Sequence, residues 1–386
     1  MNDAVPRRKP RVEVVEYAPS HAALLAAFIR KVWDPGATVE SVLAGRAQAA
    51  AANPGAVGGR IPTVLLLYDG EVVGHLTSIP ERLSFGGHVE PASWTAGFHV
   101  LPEHRNGPIG VMVAREMAKV APASLCTTVL DAPLRIFTAL GWKHIGTVPN
   151  QLLVLDGAEF AQRADTSRIS YPAVAAAGRL LRRAGIAGAA GAAAGMAIRS
   201  WAMHAGQDRS ITTTASPLAA WGGLGETDAV WARSAPMIAA SVVRDEARLR
   251  WRFLASGNAY EVVEARRAGR LVGWMLLKRP RPEGDERIGG LRLVPIVDLV
   301  YEPSDRAVLR RLVSAAAGHV REGRLGHALL ASTPHAGTRA TFRHSGFIEV
   351  TGNLHLVVSP AALPAQQPRF DEWWHARGDG DADQSF

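Results

Sequence analysis

The stretch Trp94–Met117, WTAGFHVLPEHRNGPIGVMVAREM, decides how the rest of the chain is read. An alternating apolar segment breaks at Leu101-Pro102. Arg105, Gly107 and Gly110 then fall within six residues, and a helical pattern follows in IGVMVAREMAKVA. A strand that runs through a glycine-containing turn into a helix presents unpaired backbone N–H groups at the positive end of the helix dipole. Glycine lets an anion approach the backbone, and an arginine adds a charge-assisted fork. This construction suits phosphate. The same residues also describe an ordinary strand–helix turn, and taken alone they leave both readings open.

Working outward, the first half alternates strand and helix signals. HAALLAAFIRKVW has helical spacing, and TVLLLYDGEVVGHLTSI is two apolar runs around Asp69-Gly70, a strong hairpin signal. PASWTAGFHV reads as a strand, SLCTTVL as another, and APLRIFTAL as a short helix stopped by Gly141. The second half repeats the order. It has a hairpin around Ala268-Gly269, a strand in RLVPIVDLVYEP, a helix in RAVLRRLVSAAAGHV, a strand in GHALLAS and a short helix ending at Gly346. GEVVGH pairs with GRLVGW and FTALGW with FRHSGF, both close to 200 residues apart. The chain thus reads as two copies of one fold.

This order of elements, with FHVLPEHRNGPIG and APLRIFTALGWKHIG in their expected places, resembles the GCN5-related N-acetyltransferase (GNAT) superfamily in a tandem arrangement. The resemblance covers residues 11–156 well and 225–360 more weakly. It implies an α/β (α+β) fold with two GNAT-like domains, each a mixed, mostly antiparallel sheet flanked by helices. The expected boundaries are 11–157 for an N-terminal acetyl-CoA-binding domain and 158–227 for an Ala/Gly-rich connector. A degenerate C-terminal domain at 228–360 and a polar tail at 361–386 follow. The resemblance implies that Phe98, His99 and Val100 face the pantetheine arm of coenzyme A. It places Arg105, Asn106, Gly107, Ile109 and Gly110 around the pyrophosphate. Asp131 is expected near the cofactor or as a helix N-cap. Two positions depart from the family. Pro108 fills the first glycine slot of Arg/Gln-x-x-Gly-x-Gly/Ala and has no N–H to donate. Phe137, and Phe342 in the second copy, stand where a tyrosine often protonates the leaving thiolate. The second copy has SDRAVLRRLV in place of the turn and is expected not to bind coenzyme A, serving instead as the other wall of a substrate cleft or as support.

Acyl transfer to an amine needs a base for one proton and donors for the developing oxyanion. Strand N–H groups near His99 and Val100 are candidate donors. His99, opposite in face to Phe98 and Val100, and His75 after Gly74 are candidate bases. A packed or surface histidine is the plainer reading of either. Asp298, alone among Ile296, Val297, Leu299 and Val300, must be paired to be buried. It is either a structural ion-pair member or a contact for the substrate amine, and Trp251 and Arg252 of LRWRFLAS are candidates to line the same cleft. Two-copy chains with a WRF segment and a Gly-Asp-Gly-Asp-like tail resemble those associated with bacterial surface-polysaccharide synthesis, so an amino sugar is the expected acceptor. The alternatives are a Fem-type aminoacyl transferase using charged tRNA and a non-catalytic coenzyme A-binding protein.

Composition narrows the classes. The 386 residues are 47% hydrophobic and 20% charged, a globular balance, with a net charge of +8. No zinc spacing or basic-region heptad marks a nucleic-acid module, and no His/Asp/Glu spacing marks a metal. Cys126 is the single cysteine, which fits a reducing cytoplasm and a buried thiol. The segment Ala184–Met203 is nearly uncharged but built of Ala and Gly with Arg199 inside it, so it reads as a packed or surface-lying connector helix, not a span. With Arg179, Arg182 and Arg183 it offers a weak contact, over 179–203, to an anionic membrane surface. The stretch QDRSITTTASPLAAWGGLGE reads as a linker or loop. The tail is expected to be partly mobile beyond a docked Trp373 and Trp374.

Overall fold

The computed structural model describes residues 10–128, 130–163, 187–285 and 288–380, with residues 176, 180, 183 and 185. Arg179, Arg182 and the end of the tail lie outside the described residues. The chain forms two compact units. One is built from residues through 81, 91–144 and 357–363, and the other from 82–90, 145–356 and 364 onward. In both, mixed and mostly antiparallel strands are flanked by helices.

In the first unit, β1 (Val12–Glu16) leads to α1 (Ala22–Val32) and α2 (Val39–Ala52). Thr38 caps α2 by accepting from Ser41 N–H at 3.1 Å, while the Ser41 hydroxyl accepts from Thr38 N–H at 2.9 Å. Next come β2 (Thr63–Tyr68), β3 (Glu71–Phe85) and β4 (His88–Val100), then α3 (Ile109–Val120), β5 (Ser124–Thr128) and α4 (Asp131–Ala139). The strand order is β1-β2-β3-β4-β5. Asp69 and Gly70 turn β2 into β3 with φ of 49° and 86°, the type I′ geometry that Asp-Gly favours. The apolar spacing of α1 buries Leu25, Ala26 and Phe28, and that of α3 buries Ile109, Val113, Ala114 and Met117. Each large side chain so buried contributes roughly 1.5–3 kcal/mol. Gly74 on β3 lets α3 sit close: a Cβ there would lie 3.0 Å from Ile109 Cγ2 and 3.1 Å from Val113 Cγ2. Glycine thereby fixes where α3 begins.

β6 (Lys143–Val154) passes from the first unit into the second at residue 145, and α5 (Gly157–Arg163) follows. The Ala/Gly-rich segment forms α6 (Ala187–Ala205), and no described helix is long and apolar enough to cross a membrane. Its glycines have a packing reason. A Cβ at Gly157 would lie 1.9 Å from Gly191 O, and one at Gly191 2.1 Å from Gly157 O. Only glycine permits α5 and α6 to approach this closely.

The expected linker is corrected by the structure. Ile211–Pro217 is a strand, β7, paired antiparallel with β9 (Tyr260–Arg267) from Ile211↔Arg267 to Pro217↔Glu261. Its Ile-Thr-Thr-Thr run is β-branched and suits an edge strand, and Ile211, Leu218, Trp221 and Leu224 enter the core. Between these strands lie α7 (Thr227–Ser234), β8 (Ala240–Val242) and α8 (Glu246–Leu249). After β9 come β10 (Arg270–Lys278), β11 (Leu293–Tyr301), α9 (Arg306–Glu322), β12 (Ala328–Ser332) and α10 (Ala336–His344). The chain then continues through β13 (Ile348–Val358) to β14 (Trp373–Trp374). Ala268 and Gly269 adopt φ of 49° and 79° and repeat the type I′ hairpin.

The tail is a second correction. Residues 373–380 are buried throughout, not Trp373 and Trp374 alone. β11 pairs in parallel with β12 only from Leu293↔Ala328 to Pro295↔Leu330. Beyond Pro295 the tail lies along β11: Gly378 N–H donates to Val297 O at 2.7 Å, and the Trp374 indole donates to Leu299 O at 3.1 Å. Arg377 reaches the Ser332 hydroxyl of β12 at 3.3 Å. A cavity of about 20 Å³, the room of one water, remains beside Trp374, Thr338 and Ser332. The tail is thus a strap laid against the two strands where they diverge.

Charge holds this strap. Arg244 and Arg248 each bind both Asp298 and Asp379, and all four residues are fully or almost fully buried. The cluster contains two positive and two negative groups. Arg252 donates to Gly378 O at 3.2 Å and also to Gly380 O, and a Cβ at Gly378 would lie 2.8 Å from Phe253 Cζ. The WRF segment and the Gly-Asp-Gly tail thus touch each other.

Candidate functional site

In the first unit, β4 pairs in parallel with β5 at Ser93↔Ser124 and Trp94↔Leu125, and departs from it beyond Trp94. The last link is the Thr95 hydroxyl, donating to Leu125 O at 3.3 Å. Thr127, further along β5, has a buried hydroxyl with no hydrogen-bond partner among the described residues. A buried polar group left without a partner costs about 1–3 kcal/mol. Phe98 and Val100 face α3 and α4: a Cβ at Gly110 would lie 3.1 Å from Ile136 Cδ1, 3.5 Å from Phe98 Cζ and 3.9 Å from Val100 Cγ2.

The turn after β4 is a short 3₁₀ segment, Pro102–His104. It uses amides that the sequence reading assigned to phosphate. Arg105 N–H bonds to Pro102 O and Gly107 N–H to His104 O, each at 3.3 Å. Those two backbone donors are turned inward. Pro108 is the N-cap of α3 and offers no side-chain cap. The first α3 amide to bond backward is Met112 N–H, to Pro108 O at 2.9 Å. The N–H groups of Ile109, Gly110 and Val111 therefore open the helix without intrahelical partners. Proline at this slot removes a donor from the turn but none from the helix. Asn106 and Arg105 are exposed beside them.

Arg105 does not project freely. Its Nε–H donates to Val100 O at 2.9 Å, and its Nη2 lies 3.5 Å from His99 Nε2. His99 sits on the face of β4 opposite Phe98, as the alternation implies. Its ring meets Phe28 at 6.0 Å and Trp33 at 5.8 Å between centroids. Burial lowers its pKa first, and the Arg105 charge lowers it further.

His75 of β3 completes the group. It stacks on Phe28 at 5.8 Å and meets Trp33 edge-on at 5.2 Å. Its Nδ1 donates to Gly97 O at 2.8 Å, which leaves Nε2 as the acceptor. Burial above all, with Arg46 and His99 adding, lowers its pKa from 6.5 to about 4. The imidazole is neutral at pH 7. Phe28, Trp33, His75 and His99 thus form a box of four rings, and Trp33 is 48% exposed.

Sequence reasoning missed Phe28, Trp33 and Gly97. Gly97 carried a signal, because a glycine inside a strand pattern marks a bulge or a close approach. Its φ is 60°, and a Cβ would lie 3.3 Å from His75 Cε1 and 3.6 Å from Trp33 Cη2. Phe28 and Trp33 looked like ordinary residues of an amphipathic helix and its end. The other expected residues fall as follows. Asp131 is exposed and is the first residue of α4, not its N-cap, which is Leu130. Its carboxylate favours the helix start through the dipole. Phe137 is fully buried, its ring tilted against Trp142 at 4.5 Å and near Phe98 at 5.8 Å between centroids. Asp298 belongs to the second unit, where both its oxygens are taken by Arg244 and Arg248 and nothing of it reaches solvent, so the geometry is that of a structural ion pair. Cys126 is buried and is not in a disulfide. Among the described residues no His/Cys/Asp/Glu group is arranged to hold a metal ion.

No family model matches the sequence, and no curated protein matches it. Solved structures do match. One is a conserved protein of unknown function from Enterococcus faecalis V583, described as a probable N-acyltransferase. It has a TM-score of 0.56 at 11% identity, over 92% of this chain and 74% of that one. A GCN5-related N-acetyltransferase from Anabaena variabilis gives 0.53 at 12% identity, over 90% and 72%. N-myristoyltransferase from Saccharomyces cerevisiae with bound myristoyl-CoA gives 0.52 at 11% identity, over 94% and 87%. The chain therefore has the GNAT fold.

Proposed function

We propose that the first unit is an N-acyltransferase that takes a short acyl group, acetyl in the simplest case, from acyl-CoA and transfers it to a primary amine. The observation that carries this reading is the departure of β4 from β5 beside an α3 start whose first three amides have no intrahelical partner. The fold adds support, since two of its solved relatives are described as an N-acetyltransferase and an N-myristoyltransferase with bound acyl-CoA.

In this reading the amides of Ile109, Gly110 and Val111 and the Arg105 guanidinium hold the diphosphate, with Asn106 beside them. β4 from Phe98 to Val100 and the Thr127 hydroxyl meet the pantetheine arm. The thioester supplies an activated acyl carbonyl. Phe98 lies 5.8 Å from Phe137 between centroids, and Phe98 and Ile136 both approach Gly110; in this reading these side chains limit the acyl site to a short group. The acceptor approaches from the α1 face. Trp33 offers a half-exposed ring there, the kind of surface on which an amino sugar stacks. The second unit does not take a cofactor in this reading, because its strap lies where the arm would run. Cys126, the single cysteine, fits a reducing cytoplasm. Exposed Met196, Trp201 and Met203 on α6 are apolar groups for a weak membrane-surface contact.

The test is calorimetric titration with coenzyme A, followed by a screen of amines for thiol release from acetyl-CoA. One coenzyme A per chain with turnover on an amine supports the proposal. Binding without turnover on any amine leaves a binding protein, and absence of binding removes the reading.

A further inference from the structure

We propose that Arg105 is a latch that holds His99 out of action until the cofactor's diphosphate draws the guanidinium away, and that the released His99 is the base that takes the amine proton. The inference rests on the acyl-CoA reading above. It starts from one side chain with two competing places to be. Arg105 stands between the end of β4 and the start of α3. In this structure its guanidinium turns back onto Val100 O at 2.9 Å and toward His99 Nε2 at 3.5 Å. Both partners are neutral. A diphosphate at the α3 start offers two charges and a bidentate fit. The present bonds have a charged donor but neutral acceptors, whereas the diphosphate adds opposite charge and parallel bidentate bonds to the fork. The guanidinium therefore moves to the diphosphate when it arrives.

Two consequences follow for the chemistry. An imidazole nitrogen facing an arginine N–H has its lone pair directed at a donor that cannot give up its proton, and so it cannot collect another. Releasing Arg105 frees that lone pair. It also removes the side chain that now covers the Val100 carbonyl, leaving that acceptor to an arm lying along β4. The groups facing His99 are Arg105 from the turn, His75 from β3, and the uncharged rings of Phe28 and Trp33 from α1 and its end; Arg46 of α2 acts on His75 behind it. His75 is fixed as the Nδ1–H tautomer by Gly97 and remains neutral. It positions the ring group without adding charge. In the transfer step, the neutral amine nitrogen bonds to the thioester carbonyl carbon and the C–S bond breaks. The amine proton passes to His99 Nε2, and the thiolate leaves and is protonated from solvent or from His99. Base and acyl donor thus become available together, so an amine bound first meets no active base.

The experiment uses full-length protein with labelled histidine, following the His99 ring by NMR across pH in the presence and absence of saturating coenzyme A. Calorimetry on the same samples reports binding. In the wild type, coenzyme A should raise the His99 midpoint by about half a pH unit or more, the scale expected when a nearby cation leaves and an anion arrives. In Arg105→Ala the free protein should already titrate higher than wild type, and coenzyme A should add less. His99→Gln should lower kcat about 100-fold or more, the usual worth of general base catalysis, while calorimetry still reports one coenzyme A bound per chain. Binding of coenzyme A with no movement of the His99 midpoint would overturn the latch and leave the acyl-CoA reading intact. So would a free Arg105→Ala protein that titrates like wild type. Absence of binding would remove both, and the calorimetric trace distinguishes that case.

Discussion

Replacing Asp379 with asparagine should loosen the strap more than any surface change of charge. Arg244 and Arg248 each donate to both Asp298 and Asp379, and all four side chains are within 2% of complete burial. The wild-type cluster sums to zero charge. Asp379→Asn leaves one buried positive charge uncompensated while keeping a side-chain carbonyl for Ala376 N–H, which now bonds to Asp379 at 2.9 Å. Breaking a buried pair in this way costs about 3–5 kcal/mol. For a unit of this size, each kcal/mol moves the melting point by about 2–4 °C. The expected shift is therefore about 6–20 °C in the transition that unfolds the second unit. Hydrogen exchange should speed up at residues 373–380 before it does elsewhere. A surface control, Glu116→Gln opposite the exposed Lys119, should change stability by less than about 1 kcal/mol. Acid should act on the same site. Burial opposes ionisation of Asp379, but Arg244, the His375 bond and Arg248 outweigh it and hold the carboxyl well below the usual range. A depressed carboxylate stabilises above its unfolded pKa of about 3.9, and the contribution fades as pH falls below that. A loss under about 1 kcal/mol for Asp379→Asn, with unchanged exchange in the tail, would refute the view that this cluster fastens the strap.

Other expectations come from the same geometry. Gly97→Val places a β-branched residue at φ of 60°, so it should cost at least about 1–2 kcal/mol and move the His75 ring resonances; an unperturbed ring would show the bulge is not needed. His75 binds a proton near pH 6.5 when unfolded but only near pH 4 when folded, so acidification between these values should remove up to about 3 kcal/mol of stability. His75→Phe should flatten that part of the pH–stability curve, and an unchanged curve would contradict the burial argument. Ala268→Asn in the β9–β10 turn should raise stability by about 0.5–1 kcal/mol, because asparagine tolerates φ of 49° better than alanine; thermal melts showing a loss would contradict this.

The fold was legible where local chemistry and global packing agree. Asp69-Gly70 and Ala268-Gly269 announce type I′ turns, and Gly141 and Gly346 end α4 and α10 with φ of 86° and 90°. Legibility failed where long-range partners decide. Ile211–Pro217 looked like linker because its neighbours are rich in Gly, Ser and Thr, and only the ladder with β9 makes it a strand. The tail looked mobile because it is polar, and its burial depends on two arginines more than a hundred residues away. At the site, the Arg105–Gly110 turn and both histidines could be read from the sequence. The inward turn of the Arg105 and Gly107 amides could not, since the pattern is silent on which N–H groups the turn itself consumes. Trp33 and Phe28 were hidden for a similar reason. Helical spacing marks them as apolar but does not show that two histidines from β3 and β4 face them.

A crystal structure of the protein with coenzyme A tests the central claim most directly. The account predicts diphosphate oxygens about 2.7–3.2 Å from the backbone nitrogens of Ile109, Gly110 and Val111, with Arg105 moved off Val100 O. A diphosphate bound anywhere else, with those three amides turned to other partners, would contradict it.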